Sequence, residues 1–479
     1  MPKDPVDSFI ETYVQALHDE NAAVFAGAGL SIPAGMVDWK GLMRGIATDV
    51  GLDVDREDDL VTLAQYHVNE RGGRNRINQA LVNEFSKRAA STENHRILAS
   101  LPIRTYWTTN YDTLIEDALK VSKRIPDVKI EPDSLTTTAP GRDAIVYKMH
   151  GDVSRPGKAV LTKDDYESYD SSTRHLFSLA LQGDLVSKTF LFIGFSFSDP
   201  NLNYILARIR VLLGENRREH YCLLRKVQRA DFKTNEKYLY ACAKQDLQVR
   251  DLKRYGIIGL LFDSFAKYTE VIQRIHRRFR MSRVFVSGSA ADYAPFDEST
   301  AQVLIAEISR QLVEAGFGIV SGFGLGVGPF VVNGVLEQLD REGTQVLQER
   351  VILRPFPQGI ADPTERNRRW TAYREEMISH AGVAVFLFGN KHDSSNSIVT
   401  ADGMESEFAI ASRIGLAVVP VGCTGSKAKE LLHRVIANYD TYFHNRGLKT
   451  MLRDLDRSGT PSAVAGRVVA LVKAIRDRS

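Results

Sequence analysis

Cysteine is nearly missing from this sequence: 479 residues hold three, Cys222, Cys242 and Cys423, and none stands in a Cys-x-x-Cys pair. A zinc ribbon of two such pairs is therefore excluded, because that site needs four thiolates at close spacing. So few scattered thiols also give no basis for a disulfide framework. No metal, and in particular no zinc, is expected. Long apolar runs are missing too, none approaching the roughly 18–20 residues that span a bilayer. The opening Met-Pro-Lys-Asp-Pro-Val-Asp lacks the basic-then-apolar layout of a secretory signal. These absences lead us to expect a cytoplasmic chain with no membrane partner. Nor does one sign of charge dominate: 62 Lys and Arg against 59 Asp and Glu leave a net +3, too little to signal a nucleic-acid partner. The basic run from Arg274 to Arg280 reads as a solvated helix face, and no short-period repeat is present.

What is present is an alternation. At 43% hydrophobic and 25% charged residues, the chain has a globular composition, and its length predicts two domains. Short apolar strands at Val24–Ala26, Thr105–Thr108, Ala144–Met149, Phe190–Ile193, His220–Leu224 and Ile257–Phe262 are separated by helical patterns. The stretch from Trp39 to Ser100 has no convincing strand and reads as several helices, with Leu60, Leu63, Ala64 and His67 at helical spacing. A second alternation starts at Arg283 and runs through Phe317–Ser321, Val351–Arg354, Val383–Phe388 and Ala417–Val421. The fold class expected is α/β, with two Rossmann-like domains, each a mainly parallel sheet with helices on both faces, the first with a helical insertion. The domains are expected at 1–280 and 281–479.

Four strands of the first half end in polar or glycine-rich residues: Gly27-Ala28-Gly29-Leu30-Ser31, Thr108-Thr109-Asn110-Tyr111-Asp112, Met149-His150-Gly151-Asp152 and Gly194-Phe195-Ser196-Phe197-Ser198-Asp199-Pro200-Asn201. In a parallel sheet ligands sit beyond the carboxyl ends of the strands, so these read as the walls of one pocket. Glycines at such a turn allow main-chain N–H groups to approach a pyrophosphate. Asn110 can accept from a ribose hydroxyl or water while donating elsewhere, without a full charge. His150 suits proton transfer near neutral pH. Ser31, Asp199 and Asn201 are candidate ribose or phosphate contacts. Each of these residues also has a structural reading, since Asn and Asp at strand ends often cap helices, and Tyr111 onward looks helical.

The four elements, in this order, resemble the sirtuin family, which carries Gly-Ala-Gly-x-Ser, Thr-x-Asn-x-Asp, His-Gly and Gly-x-Ser. The resemblance implies NAD+ as substrate, held by Gly27, Ala28, Gly29, Ser31, Thr109, Asp112, Gly194, Ser196 and Asp199, with Asn110 and His150 catalytic and His150 the base acting on the ribose hydroxyls. Breaking the bond to nicotinamide proceeds through an oxocarbenium-like transition state, as in other glycoside cleavage. Sirtuin deacetylases usually add a zinc ribbon that this chain lacks, which leaves the NAD-splitting half of their chemistry.

In the second half, Gly322, Gly324, Gly326 and Gly328 stand at every second position after an apolar strand and before a helical stretch from Phe330 to Leu339. With Gly288 and Ser289 after the preceding strand, they read as a phosphate cradle. Arg374 and Lys391 could supply cationic contacts, and Glu407 suits two vicinal ribose hydroxyls. Arg366, Arg368 and Arg369 read as surface or interface residues. This half resembles the SLOG nucleotide-sensing domains but lacks the Pro-Gly-Gly-x-Gly-Thr-x-x-Glu of their phosphoribohydrolase relatives, so a sensor fits better than a second catalytic centre.

The sirtuin-like half followed by the SLOG half is similar to the NAD-consuming effectors of the bacterial Thoeris anti-phage systems. That resemblance implies an autoinhibited NAD+ glycohydrolase, switched on when a cyclic ADP-ribose isomer made by a TIR-domain partner binds the SLOG pocket through Arg374, Lys391 and Glu407. It also implies a homo-oligomer, a tetramer or higher assembly. A sirtuin-type protein deacylase and a non-enzymatic nucleotide-binding scaffold stand as alternatives.

Overall fold

The computed structural model describes residues 4–171, 174–197, 199–214, 216–344, 347–357, 359–443 and 446–478. It divides into two compact units, Met1–His276 and Arg277–Ser479. The first is built on seven strands, β1 (Ala22–Ala26), β2 (Thr105–Thr108), β3 (Pro126–Lys129), β4 (Ala144–Lys148), β5 (Thr189–Ile193), β6 (His220–Arg225) and β7 (Ile257–Phe262). Their order is β3-β4-β2-β1-β5-β6-β7, and every neighbouring pair is parallel. The central strands β1 and β5 are buried along their whole length, which explains why they read as continuous Ala, Val, Phe, Leu and Ile rather than as alternating patterns. Phe25 and Phe192 stack at 5.3 Å between them. The chain winds one way from β1 to β2 and the other way from β1 to β5, so a crevice opens where the winding reverses.

Strand β3 escapes the sequence reading. It lies at the sheet edge, begins with Pro126, and its buried residues are Asp127 and Lys129, paired at 2.8 Å, so a charged pair stands where apolar residues would mark a strand. Between β1 and β2 lie the helices Trp39–Asp49, Leu60–Arg71, Asn75–Phe85 and Glu93–Ser100. Leu42, Met43, Ile46, Leu63, Ile77 and Leu81 pack together and against Tyr111, Ala159 and Leu161, fixing this helical insertion to the ends of β2 and β4. The helix expected from Tyr111 starts later, at Leu114.

The second unit holds β8 (Arg283–Ser289), β9 (Gly318–Ser321), β10 (Val351–Leu353), β11 (Val383–Phe388), β12 (Asn390–His392), β13 (Ile398–Thr400) and β14 (Ala417–Pro420). A parallel sheet runs β10-β9-β8-β11-β14, with its own reversal beside β8. The antiparallel β12–β13 ribbon is mostly exposed, and its turn is held by Asp393 Oδ1, which accepts from the Ser395 and Ser397 amides at 2.8 Å. Among the described residues no helix is long and apolar enough to cross a membrane.

One charged group ties the ends of β2 and β4 together. Lys148 is fully buried, and its ammonium donates to Tyr111 O at 3.3 Å, to Asp112 O and to Asp152 Oδ2, with Glu116 Oε1 at 3.2 Å. Burial disfavours the ammonium, but Glu116 and Asp152 outweigh it and hold Lys148 above the ordinary lysine range. Burial likewise opposes the Asp152 carboxylate, yet Lys148 and Ser154 hold it below its usual value. Removing one member of a buried ion cluster strands the others. Lys148→Met should therefore lower the unfolding free energy by about 3–5 kcal/mol in urea titrations at neutral pH. Because the folded-state value of Asp152 is depressed, its stabilisation is complete above the ordinary 3.8 and is lost as pH falls through the folded value. The gap between parent and variant should narrow below that pH.

Candidate functional site

A cavity of about 760 Å³ sits at the carboxyl ends of β1, β2, β4 and β5, with the helical insertion as its far wall. Ala28, Gly29, Ser31, Thr109, Asn110 and Asp112 line it, as do His150, Gly194, Ser196 and Asp199. Gly27 lies just behind, where its carbonyl accepts from Asn110. The structure thus brings the four strand ends into one place. The side chain of Asn201 lies outside what is described.

The glycines of the first turn have an immediate cause in packing. Gly27 N donates to Ile193 O at 3.0 Å and Gly29 N to Gly194 O at 2.9 Å. A Cβ on Gly27 would lie 2.4 Å from Gly194 O, and one on Gly194, itself at φ +66°, would lie 2.2 Å from Leu30 N. Two of the amides that the sequence suggested for a pyrophosphate are thus used to join the β1 and β5 turns.

Asn110 is buried, and its Nδ2 donates to Gly27 O and to Ser31 Oγ, both at 3.1 Å. A carbonyl can only accept, so Gly27 O fixes the amide's orientation and directs Oδ1 elsewhere as an acceptor. Asp112 accepts from Leu114 N at 3.0 Å through Oδ1 and so turns the chain before the helix, whose N-cap is Thr113 and not Asp112 as the capping reading had it, while its buried Oδ2 has no hydrogen-bond partner among the described residues.

His150 follows directly on Met149, whose carbonyl accepts from Tyr169 Oη and Arg174 Nη1 at 3.0 Å. Its own carbonyl accepts from Val160 N at 2.9 Å, so the backbone is held on both sides of the ring. Nε2 lies 3.1 Å from Asp199 Oδ2, at ion-pair distance but off the line of a good hydrogen bond. Asp199 also caps the helix Pro200–Leu213, with Oδ1 accepting from Leu202 N at 2.9 Å. Burial pushes the Asp199 carboxyl up, but His150, the Leu202 amide and the Tyr166 hydroxyl together hold it below the usual range.

Sequence reasoning missed Tyr169 and Arg174, and with them Tyr166, Trp39 and the Lys148 anchor. Tyr166 sets its ring edge-on to His150 at 5.6 Å and stacks on Trp39 of the insertion at 6.1 Å. The short polar helix Lys163–Glu167 gave no sign of Tyr166, and Lys148 was visible only as a charge inside an apolar strand.

In the second unit the cradle glycines also pack tightly: Cβ atoms on Gly324 and Gly326 would lie 2.0 and 2.1 Å from Gly288 O and Ala290 O. Gly322 would meet Phe356 at 3.1 Å and Gly328 would meet Phe323. The Arg374 guanidinium lies over the rings of Phe356 at 4.9 Å and Trp370 at 5.8 Å, and its Nε is 3.5 Å from Glu407 Oε1. Glu407 Oε2 accepts from Ser287 Oγ at 2.6 Å, next to Gly288 and Ser289. Burial pushes the Glu407 carboxyl up despite Ser287 and Arg374. Lys391 stands apart on β12, paired with Asp402 at 2.9 Å, although Gly403 beside Asp402 approaches Arg374. The aromatic clamp of Phe356 and Trp370 was not foreseen.

Comparison with known proteins agrees with both halves. Residues 104–245 match a SIR2-like domain, and residues 267–475 match the Sir2- and TIR-associating SLOG family. Over 477 residues the chain is 46% identical to NAD(+) hydrolase ThsA of Cytobacillus dafuensis, covering 98% of this chain and 96% of the relative. It is 48% identical to the protein of that name in Bacillus cereus (strain MSX-D12) over 439 residues, 91% of each chain. It is 45% identical to the one in Acinetobacter baumannii (strain 532279) over 445 residues, 92% of each. With a SIR2-like half, a SLOG half and this likeness along nearly its whole length, the chain belongs to the ThsA family.

Proposed function

We propose that the chain is an NAD+ glycohydrolase acting in the cytoplasm as an anti-phage defence effector, with its reaction in the cavity of the first unit. The observation that carries this reading is the convergence of Asn110 and His150 in one crevice, in a chain so similar to proteins named NAD(+) hydrolases. In the reaction, the bond from ribose C1′ to the nicotinamide nitrogen breaks and its electron pair leaves with neutral nicotinamide. A water oxygen bonds to C1′, and its proton passes to His150 and then to solvent, giving ADP-ribose. Asn110 Oδ1 holds the water or a ribose hydroxyl, because both Nδ2 hydrogens are already committed. His150 has a buried anion beside it to receive the charge.

The finer part of the reading concerns control. An unrestrained NADase would consume its own cell's cofactor, so the second unit is the place for a switch: a cyclic ADP-ribose isomer from a TIR-domain partner binds near Arg374, Glu407 and Lys391 and relieves autoinhibition of a homo-oligomer, a tetramer or larger. Arg374 favours this role, being a forked cation pre-oriented by two aromatic rings.

Incubating the full chain with NAD+ and candidate cyclic isomers should release nicotinamide and ADP-ribose with no acyl-peptide present. A requirement for an acetyl-lysine peptide would replace this reading with the deacylase. His150→Ala and Asn110→Ala should each reduce activated turnover by about 10²- to 10⁴-fold, with little change in melting temperature. Near-normal turnover in His150→Ala would refute the assignment.

The two units should also separate by mutation. Arg374→Ala should weaken binding of the activating isomer by about 10- to 150-fold, equivalent to a charge-assisted hydrogen bond of about 1.5–3 kcal/mol, while Asn110→Ala should bind it with near-native affinity. Calorimetry on both variants checks this, and the reverse pattern would mean that the roles of the two sites are exchanged.

A further inference from the structure

Asp199 does more in this structure than the nucleotide contact suggested by the sequence. Both of its oxygens face protein groups: Oδ1 accepts from the Leu202 amide and Oδ2 from the Tyr166 hydroxyl at 3.4 Å, with His150 Nε2 at ion-pair distance, 3.1 Å, from Oδ2. The residue is 9% exposed and His150 is 2% exposed, so the pair is largely withdrawn from water, where a carboxylate is costly unless partnered. The helix start that Asp199 caps supplies partial positive charge to one side of it. The imidazole faces the other.

We propose that Asp199 is the positioning residue of His150, its carboxylate beside Nε2 orienting the imidazole by charge so that Nδ1 presents its lone pair to the substrate side of the cavity, and stabilising the imidazolium formed when His150 takes the proton. The inference rests on the NAD+-hydrolase reading. Throughout the cycle the proton stays on the ring and Asp199 remains a carboxylate, as in other Asp–His pairs in which the acid orients rather than accepts. Tyr166 completes the arrangement from the insertion side, its hydroxyl near the carboxylate and its ring edge-on to the imidazole. The position of Asp199 at the head of a helix gives this anion a rigid mount, since moving it would uncap the first turn.

The test is Asp199→Asn in the full chain, because Asn keeps both the shape and the N-cap acceptor while removing the charge. We expect kcat for nicotinamide release to fall by about 10²-fold or more, with the NAD+ Kd from calorimetry changing by less than about threefold. In a His150→Ala background the same substitution should cost nothing further, since residues acting as a unit are not additive. Asp199→Ser, another N-cap residue but too short to reach the ring, should give the same division between kcat and Kd.

A Kd that rises while kcat holds would make Asp199 a nucleotide contact and overturn the proposal. So would an undiminished effect of Asp199→Asn in the His150→Ala background, or loss of the fold in both Asp199 variants. Absence of nicotinamide release from the unmutated chain incubated with NAD+ and the candidate cyclic isomers would instead overturn the hydrolase reading, and the pairing's role with it.

Discussion

The main-chain approach of the first turn to the end of β5 is the constraint on which the candidate site of the first unit depends. Gly27 and Gly29 donate to Ile193 and Gly194 across the line where the sheet changes its winding direction, at separations that leave no room for a Cβ. Joining these two turns holds the crevice at a fixed width, and the candidate site residues are then hung around it. Gly27 O takes one hydrogen of Asn110, Ser31 the other, so the amide's orientation is a consequence of where the glycine turn has been placed. A substitution there would displace backbone, with no flexible side chain to absorb the clash.

The opposite bank of the crevice is held by charge. Lys148 donates to the carbonyls after β2 while pairing with acids on both sides, so Asn110 and His150, which belong to loops 40 residues apart in sequence, share a buried anchor. Coulomb attraction suits this task because the geometry is over-determined: each ion would be costly alone, and the cluster is satisfied only when both loops are in place. The glycine turn and the ammonium cluster thus constrain the same two residues by different physics, one by exclusion of volume and one by the cost of an unpaired charge.

Much of this was legible in the sequence because it followed periodic rules. Strands buried on both faces announce themselves as apolar runs, and polar residues at their carboxyl ends mark a crevice whatever the ligand. What escaped did so for physical reasons. Strand β3 hides behind its buried Asp127–Lys129 pair, and the β12–β13 ribbon behind its exposure. The helix after Asn110 begins at Leu114 because Asp112 turns the chain first. Pairings between distant residues leave no local trace: nothing in Gly194–Asn201 says that Asp199 meets His150, and nothing in Lys163–Glu167 says that Tyr166 meets both. The glycine turns were read as places where a side chain would keep out a phosphate, and the neighbour that a side chain would meet in the structure is the protein's own backbone.

The same distinction bears on the second unit under the proposed regulation. Moving a switch from about 1:99 to 99:1 needs roughly 10⁴-fold preference of the signal for the active state, about 5.5 kcal/mol. Charge-assisted hydrogen bonds at about 1.5–3 kcal/mol each imply two to four that are stronger in the active state than at rest. Arg374 is already neutralised by Glu407 and clamped by Phe356 and Trp370, and Lys391 by Asp402. A signal phosphate would therefore exchange one anionic partner for another at these cations, and exchange yields less than a new bond. The preference must then draw on further groups, and the turns after β8 and β9 are already joined tightly, with the Gly288 and Ala290 carbonyls where a Cβ on Gly324 or Gly326 would stand. Those carbonyls leave no room for a side chain and offer an anion no donor, so the alternate glycines are first a requirement of the fold, and any donor to a signal there must come from the amides left free around them.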